Sequence, residues 1–296
     1  MIDNTTVYTP GALAQEVMSV VDRYAILQSE LASSIVDEIA SCIRSPHMYL
    51  SFDVFDTLLL RNHQSELRRF VEVSALVSAH LNQRFQVSTT PHDVLIARLT
   101  ANRLSYRLSP MVDGCREGNI IEIYRLVLTQ LHMPAHAELA AECVDIELAY
   151  EITQLTVNQP LIDLIQRHRA RGGHAIYVSD MYLSKAHIDR LFIGLGVDTG
   201  VFTNAYSSAD TILSKRSGKI WSWLFAQLGV QAGDIVHVGD SLVSDYQSPR
   251  LRGIAAVHIP IPLQMRRDIM LDHGALVQEL ESANIPIQSW MSTPHW

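Results

Sequence analysis

Apolar residues recur at helical spacing from the start of the chain. Leu13, Val17, Val20, Tyr24, Leu27 and Leu31 are spaced 4, 3, 4, 3, 4, and Ile35 and Ile39 extend the row. This predicts a helix over 11–44, readable either as a dimerising seam or as an amphipathic helix packed on its own domain. Ser45-Pro46 ends it, because proline disfavours helical geometry in the residue before it. A buried strand follows over 48–54. From about 65 to 157 the pattern is helical again: Glu66–Leu81, a helix opened by Thr90-Pro91-His92-Asp93, and two more over about 119–131 and 136–155. The turn-rich stretch SPMVDGCREGN separates the second of these from the third.

After Asn158 short apolar runs and helical stretches alternate. Helices are predicted at Leu161–Arg171, Ser184–Gly194, Ser217–Leu228 and Ser244–Arg252. Strands are predicted at His174–Val178, near Val201-Phe202, at Ile235–Val238 and at Ala255–Ile259. Such alternation means a mostly parallel sheet covered on both faces. The expected fold class is therefore α/β with a Rossmann-like core, to which the first strand belongs. The expected domains are an N-terminal helical extension (1–46), a core (47–61 and 158–262), an inserted all-helical cap (62–157) and a C-terminal tail (263–296).

With 296 residues, 48% apolar and 18% charged, the chain suits one globular core plus an insertion. A net charge of −8 does not favour nucleic acid, and no run approaches the roughly 18 apolar residues of a membrane span. Cys42, Cys115 and Cys143 are far apart, which predicts reduced thiols rather than a disulfide frame or zinc knuckle. The polar, acidic N-terminus does not read as a signal peptide, so a cytoplasmic location is expected.

In an open parallel sheet, functional groups gather at the carboxyl ends of the strands. Here the predicted strand ends carry Asp53 with Asp56-Thr57, then Ser179-Asp180, then a loop leading to Ser214-Lys215, then Gly239-Asp240-Ser241 with Asp245 beyond. Taken singly, each has an ordinary explanation: turn and helix caps for the acids and serines, a surface position for the lysine. Those explanations do not account for four polar clusters at successive strand ends. The stretches FDVFDTLL, YVSDMYLS, SKRSGKIW and VHVGDSLVSD resemble, in order and spacing, the four motifs of the haloacid-dehalogenase-like (HAD) superfamily, over roughly residues 48–260. FDVFDTLLLR and SDMYLS resemble one uncharacterised bacterial branch of it.

The resemblance implies a hydrolase in which Asp53 is the nucleophile and forms an aspartyl-phosphate that water then opens. It implies a magnesium ion held by Asp53, the Phe55 carbonyl, Asp240 and Asp245. Ser179, Thr57 and the backbone amide of Asp180 would meet the phosphate. Lys215, preferred over Lys219 as the residue that opens a helix, would neutralise charge. The implied substrate is a small phosphorylated metabolite, with the helical insertion closing over it.

One departure stands out. The superfamily's phosphatases carry an acid two residues after the nucleophile, and here that residue is Phe55, which cannot move a proton. Asp56 is one position on, where strand alternation turns it away from Asp53. Three readings stay open: a phosphohydrolase that finds its proton elsewhere or in Asp56, a dehalogenase, whose halide needs none, and a silent binding module. Arg98, Arg103, Arg107 and Arg116 are candidate substrate grips whose ordinary reading is a solvated helix face. Glu142, Glu147 and Glu151 read as helix-surface or hinge charges, and Tyr124 and Tyr150 as core.

Overall fold

A computed structural model of the chain describes residues 30–285 and 287. The first described element is helix α1 (Glu30–Cys42), followed by strand β1 (Tyr49–Phe52). β1 sits at the centre of a five-stranded parallel sheet with β4 (His174–Ser179), β5 (Asn204–Ser207), β6 (Ile235–Gly239) and β7 (Ala255–His258), in the order β5-β4-β1-β6-β7. Being central, β1 is buried on both faces, as are its neighbours β4 and β6. Ala175, Tyr177, Val236 and Val238 point into one cluster, and Ile176, Val178 and Ile235 into the other, against Trp221 and Leu224. The fold class is the predicted one: α/β, with a parallel sheet and a helical insertion.

The insertion leaves through strand β2 (Leu59–Arg61) and returns through β3 (Leu155–Val157), which pair antiparallel with Leu60 opposite Thr156. This two-stranded stalk was not anticipated, because three-residue strands carry no usable periodicity. Between its arms lie α2 (Glu66–Phe85), α3 (Pro91–Leu108), α4 (Ile120–Gln130) and α5 (Ala137–Gln154). Thr90 caps α3 through a reciprocal pair with Asp93, and Pro91 occupies the first turn, as the sequence predicted. Among the candidate grips, Arg98 is fully buried inside this bundle. It donates to Glu147 from Nε (3.2 Å) and Nη2 (2.9 Å), and Glu147 also accepts from Tyr124 (2.6 Å) and Tyr182 (3.2 Å). Glu147 and Glu151 are buried, against the surface reading. The cause is charge pairing, Glu147 with Arg98 and Glu151 with Arg69. Tyr182 comes from the loop after β4, so this buried network ties the insertion to the core.

Helices α6 (Gln159–Ala170), α7 (Lys185–Gly194), α8 (Ser208–Thr211), α9 (Lys219–Leu228) and α10 (Ser248–Arg250) complete the core. Two predicted elements differ. The strand placed near Val201-Phe202 lies at Asn204–Ser207, because Asp198 caps a 3-10 turn over Thr199–Val201 first. The helix placed at Ser244–Arg252 is a π-helical turn (Leu242–Gln247) running into α10, because Pro249 has no N–H with which to continue an α-helical ladder.

Ile35 and Ile39, at 2% and 0% exposed, pack into the chain's own core, so the end of the heptad row does not offer a dimer seam. Residues 11–29 of that row lie outside the described residues. The C-terminal segment, unplaced from sequence, contains α11 (Leu263–Ser282). Its Leu276 and Leu280 pack with Leu67, Phe70, Leu95 and Leu99 of the insertion, and Asp272 accepts from the Ser65 amide (2.9 Å) and pairs with Arg68.

Candidate active site

The chain leaves β1 at Asp53, whose amide still donates to Val238 of β6 (2.8 Å). A tight loop then forms in which the Val54 carbonyl accepts from the amides of both Leu58 and Leu59 (2.8 Å each). Asp56 sits in this loop at φ 60°, a left-handed position that aspartate tolerates better than most residues. The loop directs the Asp56 carboxylate to Arg61, where it accepts from the backbone amide (3.3 Å) and from Nη1 (3.2 Å). The Arg61 guanidinium also lies over the Phe55 ring, 4.4 Å from its centroid. Asp56 thus lies beyond the strand, where alternation no longer applies, and is a buried loop brace paired with arginine.

Asp53 is 8% exposed and meets the Lys215 ammonium at 2.5 Å. The same ammonium lies 2.6 Å from Asp245. Carboxylate oxygens of Asp53, Asp240 and Asp245 all lie within 4.8 Å of one another. β6 and its turn bring the latter two here. Gly239 is required at that point, because a Cβ on it would come within 2.4 Å of the Asp245 carboxyl. Asp245 is also held by the Ser241 amide (3.0 Å) and by His237 Nε2 (3.1 Å). His237 Nδ1 faces the Ser51 hydroxyl at 2.8 Å. Burial lowers the His237 pKa, so the ring is neutral, and a proton on Nε2 lets it donate to Asp245 and accept from Ser51. Sequence reasoning missed His237; a histidine inside an apolar strand gave no signal of what it would face.

Lys215 lies in the turn before α9, whose first residue is Lys219, so it precedes the helix rather than opening it. Asp180, just past β4, fixes this turn by accepting from the amides of Lys215 (2.8 Å) and Arg216 (3.0 Å). Those amides are therefore occupied by Asp180. Ser179 ends β4, 2% exposed, in register with Ser207. Thr57 is fully buried, and its Oγ1 has no hydrogen-bond partner among the described residues, while its carbonyl accepts from Asn158 (2.9 Å). Thus Asp53, Asp180, Lys215, Asp240 and Asp245 converge, Ser179 adjoins them in sequence, and Asp56 is nearby but paired with Arg61.

The electrostatics follow from this crowding. Burial, with repulsion from Asp245 and Asp180, outweighs Lys215 and pushes the Asp53 carboxyl up to about 7. Asp240 is pushed well up by burial and by Asp53, Asp56 and Asp245. Asp245 is driven below the usual carboxylate range: burial opposes this, but Lys215 and the His237 hydrogen bond prevail. The Lys215 pKa is raised because Asp245, Asp53 and Asp180 overcome its burial. One buried cation thus faces several buried carboxylates, a donor set that suits a hard divalent cation.

Four strand-end motifs meet at the carboxyl edge of a parallel sheet whose strand order places β1 between β4 and β6. The fold is haloacid-dehalogenase-like. No protein-family model matches the chain, and no curated protein matches its sequence. Among solved structures, the chain is similar to the HAD-hydrolase YfnB of Bacillus subtilis, solved bound to magnesium, at 17% identity and TM-score 0.47, covering 76% of this chain and 99% of that one. It is also similar to a HAD-family enzyme of Bacteroides thetaiotaomicron, complexed with magnesium and inorganic phosphate (12%, TM-score 0.45, 72% and 93%). A third likeness is to an L-2-haloacid dehalogenase of Xanthobacter autotrophicus (14%, TM-score 0.43, 83% and 86%). These are likenesses of outline; strand order and converging motifs carry the fold. No described helix is long and apolar enough to cross a membrane.

Proposed function

We propose that the chain is a magnesium-dependent phosphohydrolase acting on a small phosphorylated metabolite through an aspartyl-phosphate on Asp53. The observation that carries this is the placement of Asp53, Asp240 and Asp245 within 4.8 Å, with Lys215 bridging Asp53 and Asp245. Three carboxylate oxygens fit magnesium, which these residues and the Phe55 carbonyl would hold. When bound, the ion supplies positive charge that screens the attack of one anion on another. Asp53 Oδ attacks phosphorus in line with the leaving oxygen, and the carboxylate becomes an acyl phosphate. Lys215 is already within hydrogen-bonding distance of the nucleophile and neutralises charge that builds there. The buried, unpartnered Thr57 hydroxyl and Ser179 are donors for phosphate oxygens. His237 and the Ser241 amide hold Asp245 in place.

Phe55 in the acid position and Asp56 tied to Arg61 favour a second reading, a module that binds phosphate but turns it over poorly. Aryl phosphates separate the two, because their leaving groups depart without a proton. The phosphohydrolase reading expects magnesium-dependent release of the aryl alcohol, abolished by EDTA and restored by magnesium. Metal-independent phosphate release, or halide release from a 2-haloacid without added metal, would overturn it. A cytoplasmic location and a homodimer through the N-terminal segment belong to the same proposal.

A further inference from the structure

Neither position that the sequence offered supplies the leaving-group proton, since Phe55 carries no acid and Asp56 is paired with Arg61. The loop between α3 and α4 brings another carboxyl to the core. Val112 and Cys115 close it by mutual backbone hydrogen bonds (3.0 and 2.8 Å). Cys115 Sγ lies 3.2 Å from Ser217 Oγ, in the turn that carries Lys215. On the far side, the Ile120 amide donates to the carbonyl of Tyr182, in the loop after β4 (2.9 Å). Fastened at both ends, the loop places Glu117 against the carboxyl ends of β4 and β5. Its Oε2 accepts from Ser208 (2.9 Å), which directly follows β5. Ser214, the neighbour of Lys215, also hydrogen-bonds it. Gly118 beside it is fixed, because a Cβ there would come within 2.6 Å of the Tyr106 ring.

We propose that Glu117 is the proton donor to the leaving group in the phosphoryl transfer proposed above, and this inference rests on that reading. The step balances: as the Asp53 Oδ–P bond forms and the ester P–O bond breaks, the departing oxygen takes the Glu117 proton. The Glu117 carboxylate then accepts a proton from the water that attacks phosphorus, which returns Asp53 as a carboxylate. The surroundings keep a proton on Glu117 near neutrality. Burial and the Asp180 charge push its carboxyl up to about 7, against the hydrogen bonds of Ser208 and Ser214 and the charge of Arg216. Tyr106, on α3, also faces it.

The test pairs two magnesium-dependent substrates, an aryl and an alkyl phosphate, with Glu117→Gln and with Ser208→Ala as a control for the contact alone. Losing a general acid costs about 10²–10⁴ in rate where the leaving group needs one, so Glu117→Gln should lose that much kcat/KM on the alkyl ester and less than about threefold on the aryl ester. Wild-type kcat/KM on the alkyl ester should fall as pH rises through about 7, where the donor loses its proton, and this limb should vanish in Glu117→Gln. Equal losses on both esters, no loss on the alkyl ester, or an alkyl-selective loss in Ser208→Ala would overturn the role. So would a 13C carboxyl titration of the wild type showing Glu117 ionised at pH 6, whatever the substrate. Survival of aryl phosphate turnover in Asp53→Asn would instead sink the nucleophile assignment, a separable failure.

Discussion

Asp53→Asn should lose phosphatase activity without losing stability. Removing a nucleophile that works with its neighbours as a unit leaves only binding and charge stabilisation, so magnesium-dependent turnover of an aryl phosphate should fall by about 10³-fold or more. The fold should not suffer. With its pKa raised to about 7, the Asp53 carboxylate is held ionised at pH 8 against burial and the repulsion of Asp245. A carboxyl whose folded pKa is raised contributes less stability as pH climbs from its unfolded value toward the folded one. The neutral amide removes that cost, and Lys215 retains Asp245 as partner. In EDTA at pH 8 the variant should therefore melt at or above the wild-type temperature. A variant that is inactive because it is unfolded, or that is still active, would count against the assignment.

Lys215→Met should do the opposite, losing both. The ammonium is 1% exposed and within 2.6 Å of two carboxylates. Breaking a buried ion pair by removing one partner typically costs about 3–5 kcal/mol, because the remaining charges are left uncompensated. Urea unfolding at pH 7.5 without divalent ions should show a loss of that size. Magnesium should recover part of it, by supplying positive charge to the same carboxylates. Turnover should fall by about 10²–10³, the usual loss when a donor aimed at developing charge is removed. Unchanged stability in EDTA would mean that the lysine does not balance these acids.

The sheet and the site were legible in the sequence for one reason: buried parallel strands must be apolar along their length, so polar residues at their ends stand out. Asp53, Ser179-Asp180, Lys215, Asp240 and Asp245 were all found that way. The signal failed where burial is decided by partners remote in sequence. Glu147 and Arg98 read as surface charges because their pairing across 49 residues leaves no local trace. His237 and Glu117 were missed for the same reason, one inside a strand and one in a turn-rich loop. The stalk strands were too short for periodicity, and Pro249 altered a helix whose apolar pattern continued through it. Asp56 lies beyond β1 at a left-handed loop position, so the loop and not strand alternation sets its direction toward Arg61.

In the proposed reaction the Asp53 carboxylate attacks beside a divalent cation shared with Asp240 and Asp245. A crystal structure of the protein with magnesium and beryllium fluoride tests this most directly. The prediction is a fluoroberyllate bonded to an Asp53 carboxylate oxygen, with magnesium contacted by Asp53, Asp240 and Asp245. An Asp53 still paired with Lys215 alone, with no adduct and the ion bound elsewhere, would contradict it.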